Sequence, residues 1–403
     1  MNDEALRDIA LWLARQGYEG MDETELIAGF CQRCNAAGTP IARVLCLIDT
    51  LHPEFEGRAF QWDKVNPVSP LVEYAPTKEG SARNNWEASV FHELLCGKAD
   101  EIRRRFGSGA PADFHNLQQL KDDGHTDFVA MIHRFTDRGS VGEMDAFFSY
   151  WTTRDANGFD DESLAALRTL VPTLALAIKC ASSIRIIGTL AEIYLGRDAG
   201  RKVISGQINR GEVEKIDAVI WFSDLHDYTR ISDGSDPEQI IPFLNDYAEL
   251  VIGAIHAHGG NVLKLIGDGI LAIFRSGNQQ TDCLAALDAE RMMQRELGQL
   301  NARRMAEGLS ITAVYLGLHV GEVFYGNIGG RGRLDFTVVG PAVNQVSRIS
   351  SLCTSVDRDV LMSRDFIEAC PVDRAAQMVS LGRYALRGVS RATELFTLDP
   401  EMR

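Results

Sequence analysis

The sequence predicts a two-domain protein of mixed α/β (α+β) class, and three observations carry that expectation. Its 403 residues amount to about 2.7 units at roughly 150 residues per domain, more than one small module accounts for. Apolar residues make up 45% and charged residues 24%, which permits large buried cores and excludes a collagen-like, mucin-like or globally disordered chain. Short apolar runs of strand composition alternate with amphipathic helical segments in both halves. The expected division is an N-terminal helical segment at 1–39, a first α/β domain at 40–180, a helical connector at 181–215 and a second domain at 216–403.

Taken in order, Leu6, Ile9, Leu13, Leu26, Ile27 and Phe30 are the apolar positions of two short helices, which Gly17 and Gly20 are expected to break. Ala42 to Leu47 has strand composition, and Phe60 to Trp62 follows the turn-rich stretch Pro53 to Gly57. Turn signals over Pro67 to Ser81 precede an amphipathic segment at Trp86, Val90, Phe91, Leu94 and Leu95. Phe128 to Ile132 and Met144 to Trp151 read as strands, and Asp155 to Gly158 as a turn before a helix that begins near Asp160.

This order, with Leu51 to Trp62 (LHPEFEGRAFQW), Phe147 to Thr153 (FFSYWTT) and Gly158-Phe159-Asp160 before a long helix, resembles the GAF sensor family over residues 40 to 180. The resemblance implies a regulatory domain that takes an unidentified small molecule or serves as a dimeric scaffold; it names no signal and no chromophore. His52, His92, His115, His125 and His133 form no compact metal-ligand pattern. Leu170 to Leu195 is helix-compatible, and Gly196, Gly200 and Gly206 weaken its continuation, so 181–215 reads as a signalling linker.

Acidic residues outnumber basic ones 56 to 41, a formal charge of -15 that argues against broad attraction to nucleic acid or an anionic membrane. A local cationic site for phosphates remains compatible with that balance. Eight cysteines are too dilute for a disulfide framework and point to reduced thiols in a cytoplasmic protein. Cys31-Gln-Arg-Cys34 has CxxC spacing but no second pair, and reads as buried thiols in preference to a redox or metal pair. Asp3 and Glu4 stand where a signal peptide would be basic, and Leu164 to Ile178, interrupted by Arg168 and Pro172, reads as a packed helix, so no membrane span is expected.

The second half carries the chemistry. Ala218 to Phe222 is a strand candidate that places Asp224 just beyond its end, and Pro237 opens a helix with Ile240, Leu244, Tyr247, Val251 and Ile255 on one face. Gly259-Gly260 stops that helix, and Asn261 to Ile266, Gly267-Asp268-Gly269 and Ile270 to Phe274 read as a hairpin with Asp268 at its tip. If the first strand lies beside the hairpin, Asp224 and Asp268 converge. Two carboxylates at adjacent strand ends suit hard divalent cations such as magnesium and leave coordination positions for triphosphate and water. The Leu225 carbonyl is a third oxygen that residue identity alone does not assign.

Four ordered stretches resemble the class III nucleotide cyclase catalytic domain, adenylate cyclase type, over about 216 to 398. They are Phe222 to Thr229 (FSDLHDYT), Asn261 to Phe274 (NVLKLIGDGILAIF), Gly317 to Gly329 (GLHVGEVFYGNIG) and Asp335 to Arg348 (DFTVVGPAVNQVSR). The resemblance implies a ferredoxin-like core and a head-to-tail homodimer with composite active sites. By the same resemblance Asp224, Leu225 and Asp268 hold two magnesium ions, with manganese as an alternative. Lys264 and Thr337 read adenine, Asn344 orients ribose and Arg348 stabilises the reacting phosphate. Guanylate cyclases characteristically carry Glu and Cys where this chain has Lys264 and Thr337, so ATP is the expected substrate, converted to 3',5'-cyclic AMP and pyrophosphate.

The residue chemistry fits those roles, since an ammonium donates to adenine N1, a hydroxyl accepts from the exocyclic amine and a guanidinium meets growing phosphate charge. The alternatives are a guanylate cyclase using GTP, another two-metal nucleotidyl enzyme such as a diguanylate cyclase, whose GGDEF-like signal is absent, and a catalytically silent nucleotide-binding or dimerisation module. Gly326 to Gly332 matches neither dinucleotide nor P-loop spacing and reads mainly as hairpin geometry. Two departures from the family pattern stand out: Pro341 where an acidic residue is common, and His226-Asp227-Tyr228 where a basic residue, a glycine and an aromatic are usual.

Overall fold

The computed structural model describes residues 1–66, 71–75, 80–135, 142, 144–387 and 392–399; within the expected turn region Pro67 to Ser81, positions 67–70 and 76–79 lie outside the described residues. The chain divides into two compact units, residues 1–190 and 191–403.

In the first unit the strands are β1 (Arg43–Asp49), β2 (Gly57–Asp63), β3 (Val72–Tyr74), β4 (Glu101–Arg105), β5 (Asp127–Arg134) and β6 (Ala146–Thr153). They form one antiparallel sheet in the order β3-β2-β1-β6-β5-β4. Residues along β5 and β6 are buried almost without a break because both faces of the sheet are covered, which explains the continuous apolar runs in the sequence. Val129, Met131, Phe147 and Trp151 pack with Phe30, Leu167 and Leu174 from helices on one face. Phe128, Ala130, Ile132 and Phe148 pack with Phe91, Leu94 and Leu120 on the other.

The N-terminal residues join the first of these cores through the helices Asp3–Glu19 and Glu23–Ala36. Their starts are fixed by side-chain caps: Asn2 accepts from the Ala5 amide and Asp22 from the Thr24 amide. Gly17 does not break the first helix. It stays helical where a Cβ would lie 3.0 Å from that of Ala177, and the left-handed Gly20, at φ 78°, ends the helix instead. The helix expected near Asp160 runs from Asp161 to Leu195, with Pro172 on its exposed side. Gly196, at φ 88°, ends it, and a short helix Arg197–Ile204 follows.

The second unit contains β7 (Val213–Leu225), β8 (Asn261–Ile266), β9 (Gly269–Phe274), β10 (Val314–Gly330), β11 (Arg333–Val339), β12 (Val360–Ser363), β13 (Met378–Tyr384) and β14 (Thr393–Leu398). The sheet order is β13-β14-β12-β10-β7-β9-β8, with β11 paired to β10. β7 is far longer than the apolar run Ala218 to Phe222. Its polar start is held as strand because β10 pairs with it throughout, from Val314 opposite Leu225 to Gly326 opposite Val213. Tertiary pairing here overrides local composition.

The helices Pro237–Ala257 and Gln279–Ala306 cover one face of this sheet, and Pro341–Ser351 covers the other. The last approaches β10 closely because Gly317 and Gly321 lie beneath it. A Cβ at Gly317 would stand 2.7 Å from the Val346 carbonyl oxygen, and one at Gly321 the same distance, 2.7 Å, from the Ala342 Cβ. Gly317→Ala is therefore expected to destabilise the second unit by about 2 kcal/mol through overpacking against helix backbone. Urea unfolding checks this; a loss below about 0.5 kcal/mol would mean that the helix is free to lift.

Candidate active site

The end of β7 meets the β8–β9 turn because β7 pairs with β9, with Ser223 opposite Ile270. Gly267, at φ 65°, lets the chain reverse and puts Asp268 at the tip. Asp268 reaches across to β7, where its Oδ2 accepts from the Leu225 amide at 3.3 Å. Asp224 is half-buried, and its carboxyl is raised to about 7, first by burial and then by the hydrogen bond to Asp268 and the charge of that neighbour. Two carboxylates that close resist joint ionisation.

Both line a cavity of 180 Å³ with Leu225 and Gly267, closed on its other side by Leu244 and Tyr247 from the helix Pro237–Ala257. Among the described residues no group of three or more His, Cys, Asp and Glu is gathered, so side chains alone provide a pair. The pair is all-oxygen, and a dication would relieve its repulsion. That chemistry fits a hard divalent cation with its remaining positions open to backbone oxygen, water or phosphate.

A second group assembles where β8 faces β11. The register of β8 against β9 shifts between Val262 and Lys264, a bulge that re-aims the lysine. The Lys264 ammonium makes an ion pair with Asp335, and both side chains are partly exposed. Thr337 lies two residues beyond Asp335 on β11, on the same strand face, and is buried. Asp335 is the functional candidate that sequence reading missed. It stands in a motif stretch, and its even spacing from Thr337 was the available signal.

Asn344 and Arg348 sit one turn apart on the helix Pro341–Ser351, whose Ala342, Val346 and Ile349 are buried. Asn344 is exposed and Arg348 partly so, and Arg348 makes no ion pair among the described residues. Of the seven sequence-predicted residues, Asp224, Leu225 and Asp268 line the one cavity, whereas Lys264, Thr337, Asn344 and Arg348 are not part of its wall.

Both departures have a local explanation. Asp227 adopts the left-handed conformation at φ 55°, where glycine is usual and aspartate is tolerated. Pro341 occupies the first turn of its helix, where its fixed φ and missing amide hydrogen do no harm. Gly326 to Gly332 forms the β10–β11 hairpin, with Gly330 opposite Arg333. Cys31 and Cys34 are buried, and burial pushes the Cys34 thiol up to about 12, leaving little thiolate at neutral pH.

Residues 212–399 match the family described as the adenylate and guanylate cyclase catalytic domain. An adenylate cyclase of Anabaena cylindrica is 37% identical over 166 residues, which is 40% of this chain and 32% of that protein. Adenylate cyclase 1 of Rhizobium meliloti is 26% identical over 210 residues, 51% of this chain and 31% of that protein. The chain thus spans about a third of the length of the curated relatives it matches. A crystal structure of the adenylyl cyclase CyaB from P. aeruginosa aligns with TM-score 0.43 and 22% identity, covering 47% of this chain and 96% of that one. The family and sequence matches support a class III adenylate/guanylate cyclase-type catalytic domain at residues 212–399.

The carboxylate pair also has a consequence for stability. A carboxyl raised in the folded state favours folding while protonated, and that contribution is lost as pH climbs from the unfolded value of 3.8 through about 7. Asp224→Asn is expected to melt with the wild type near pH 4 and above it at pH 8 without metal. After allowance for solvent screening of a half-exposed group, the gain is about 1–2 kcal/mol. Thermal melts at the two pH values in chelator check this, and equal melting at pH 8 would show that the carboxylates do not oppose each other.

Proposed function

We propose that the second unit is an adenylate cyclase, converting ATP to 3',5'-cyclic AMP and pyrophosphate at sites shared between two copies of the chain. The observation that carries the reading is the carboxylate pair Asp224 and Asp268 in one cavity, with a separate polar group of Lys264, Asp335 and Thr337. The family match at 212–399 supports the reaction class.

Asp224, Asp268 and the Leu225 carbonyl are the proposed holders of magnesium, two ions per site, with manganese as an alternative. When bound, such a cation supplies Lewis acidity toward the ribose 3'-hydroxyl and the triphosphate. In the reaction the 3'-oxygen bonds to the α-phosphorus, the bond from that phosphorus to the bridging oxygen breaks, and the hydroxyl proton passes to solvent or base. Lys264 donates to adenine N1 and Thr337 accepts from the exocyclic amine. Asp335 holds the lysine in place before the base arrives, and Asn344 orients the ribose. Arg348, free of an ion pair among the described residues, meets the charge that grows on the phosphorus oxygens.

The composite site, in which a second copy contributes the base, ribose and phosphate residues, rests on the resemblance of the motif stretches; Lys264, Thr337, Asn344 and Arg348 are not part of the carboxylate cavity's wall. The first unit, a sheet covered by helices on both faces, is read as a GAF-like sensor that takes a small molecule and regulates turnover in the cytoplasm.

Incubating the full chain with ATP or GTP and either metal, followed by product identification, tests the activity; formation of cyclic GMP alone, or of no cyclic nucleotide, overturns it. Asp224→Asn and Asp268→Asn are each expected to lower turnover at least about a hundredfold, the equivalent of roughly 3 kcal/mol of transition-state stabilisation. Retained turnover in both removes the two-carboxylate mechanism.

Sharing between copies has its own test. Asp224→Asn and Arg348→Ala chains, each weak alone, are expected to recover activity when mixed, because one of the two interfaces regains wild-type residues from both partners. No recovery in verified mixed dimers places all the catalytic residues within one chain. Lys264→Glu with Thr337→Cys is expected to shift preference toward GTP, read as the ratio of kcat/KM values; an unchanged ratio removes these two residues from base recognition.

A further inference from the structure

A second cavity of the second unit, 580 Å³ in volume, lies at the far end of the β8–β9 hairpin from Asp268. Asn261 opens β8 and Arg275 follows β9, which puts this lining roughly 15–20 Å from the hairpin tip at the rise of an extended strand. Arg197, Arg201 and Lys202 from the helix Arg197–Ile204 form one wall, and His256 from the last turn of Pro237–Ala257 joins them. The short helix is held in place without the help of its arginines. Ala199 is buried with Ile216, Leu263 and Ile273, the Tyr325 hydroxyl donates to Asp198 at 2.7 Å, and the Asp198 amide donates to Asn261 Oδ1 at 3.4 Å.

The cations of this wall are therefore surplus to docking, and they stand where charge is costly. Three of them share a helix of eight residues, and Arg197 and Arg201 repel each other at a spacing of four. Arg197 is also the first residue of the helix, at the positive end of its dipole, where a cation is disfavoured. Among the described residues it makes no ion pair, whereas Arg201 is paired with Glu192 and Arg275 with Glu214. Burial first, and then the charge of Arg197, hold the His256 imidazole below its usual proton affinity, and its Nε2 is buried without a hydrogen-bond partner.

Several donors remain in reserve. Arg201 gives its Nε to Glu192 at 3.1 Å, which leaves its two terminal nitrogens without a bond among the described residues. The Lys202 ammonium lies 3.6 Å from Asp198 and 3.7 Å from Glu214, too far for direct hydrogen bonds. Arg275 is committed to Glu214 through both terminal nitrogens, at 2.6 and 3.4 Å. Four cations thus meet three carboxylates, on a chain whose formal charge is -15.

We propose that this cavity binds a free phosphorylated small molecule. A phosphoryl group offers more acceptor oxygens and more negative charge than a carboxylate, and guanidinium groups take such oxygens in pairs. The volume is more than three times the 180 Å³ of the carboxylate cavity, which leaves room for a second phosphoryl group or an organic body. A nucleic acid backbone would meet the repulsion of the whole acidic chain, which a small anion in a local cationic wall avoids. The site goes beyond the cyclase reading and does not depend on it.

Inorganic pyrophosphate is the probe, titrated calorimetrically into the full chain in chelator so that no metal reaches the carboxylate pair. The wild type is expected to bind it and to melt at a higher temperature in its presence. Arg197→Gln with Arg201→Gln is expected to weaken binding at least about tenfold and to remove the gain in melting, with the melt of the probe-free chain unchanged. Arg197→Lys with Arg201→Lys is expected to recover most of the binding, which separates lost charge from lost folding.

No binding by the wild type, equal binding by the glutamine chain, or no recovery by the lysine chain overturns the site. Binding lost through Arg348→Ala and kept by the glutamine chain assigns the probe to the helix Pro341–Ser351 and also overturns it. Co-sedimentation with phosphatidylcholine and phosphatidic acid vesicles that the two glutamines abolish, without binding of pyrophosphate, assigns the wall to a lipid headgroup and overturns the free ligand. Cyclic nucleotide formation is measured separately: binding without turnover sinks the cyclase reading and leaves the site, and turnover without binding does the reverse.

Discussion

Two carboxylates held against their mutual repulsion are the constraint on which the second unit is built. Neither Asp224 nor Asp268 lies in a segment that would bring them together alone. β7 must pair with β9 so that Ser223 faces Ile270, and the turn at Gly267 must reverse tightly enough for Asp268 to reach the Leu225 amide. The long pairing of β7 with β10, from Val213 to Leu225, gives the strand that carries Asp224 the rigidity to keep its end in place. Burial and proximity raise the Asp224 carboxyl. The pair is therefore an energetic liability by itself and a ready site for positive charge, a combination that recurs at functional sites.

The opposite logic governs Lys264. Its ammonium is engaged by Asp335 on the neighbouring strand, so its charge is balanced before any ligand arrives. A ligand acceptor that reaches this ammonium would meet a donor whose direction is already set, so the entropy of ordering a long side chain is met in folding and not in binding. The helix Pro341–Ser351 is oriented just as firmly. Ala342, Val346 and Ile349 are buried, and Gly317 and Gly321 let its backbone rest on β10, which leaves Asn344 and Arg348 on the side away from that contact.

Much of this was legible in the sequence where local chemistry and tertiary structure agree. The β8–β9 hairpin, its tip at Asp268, the proline-opened helix at Pro237 and the stop at Gly259-Gly260 all appear where turn and capping residues put them. Legibility failed where partners distant in the chain decide. The first residues of β7 are polar, and only β10 makes them strand. Gly17 reads as a breaker, and only Ala177 explains why a residue without a side chain belongs inside that helix. The spacing of Asp335 from Thr337 puts the two on one strand face, but the pairing of Asp335 with Lys264 is visible only in the structure, because an ion pair between strands has no signature in either segment alone.

The same reasoning bears on the long helix. Periodicity identifies one apolar face when the rest of a helix is polar, but the second half of Asp161–Leu195 has apolar residues on more than one side, so sequence alone could not separate the face turned to the core from the face left over. The structure separates them: Ile178 and Ile186 are buried, Ile184 and Ile187 exposed, and residues of one chemical type on one helix face different solvents. The outer isoleucines add nothing to the packing of their own unit, and polar residues there would serve solubility better.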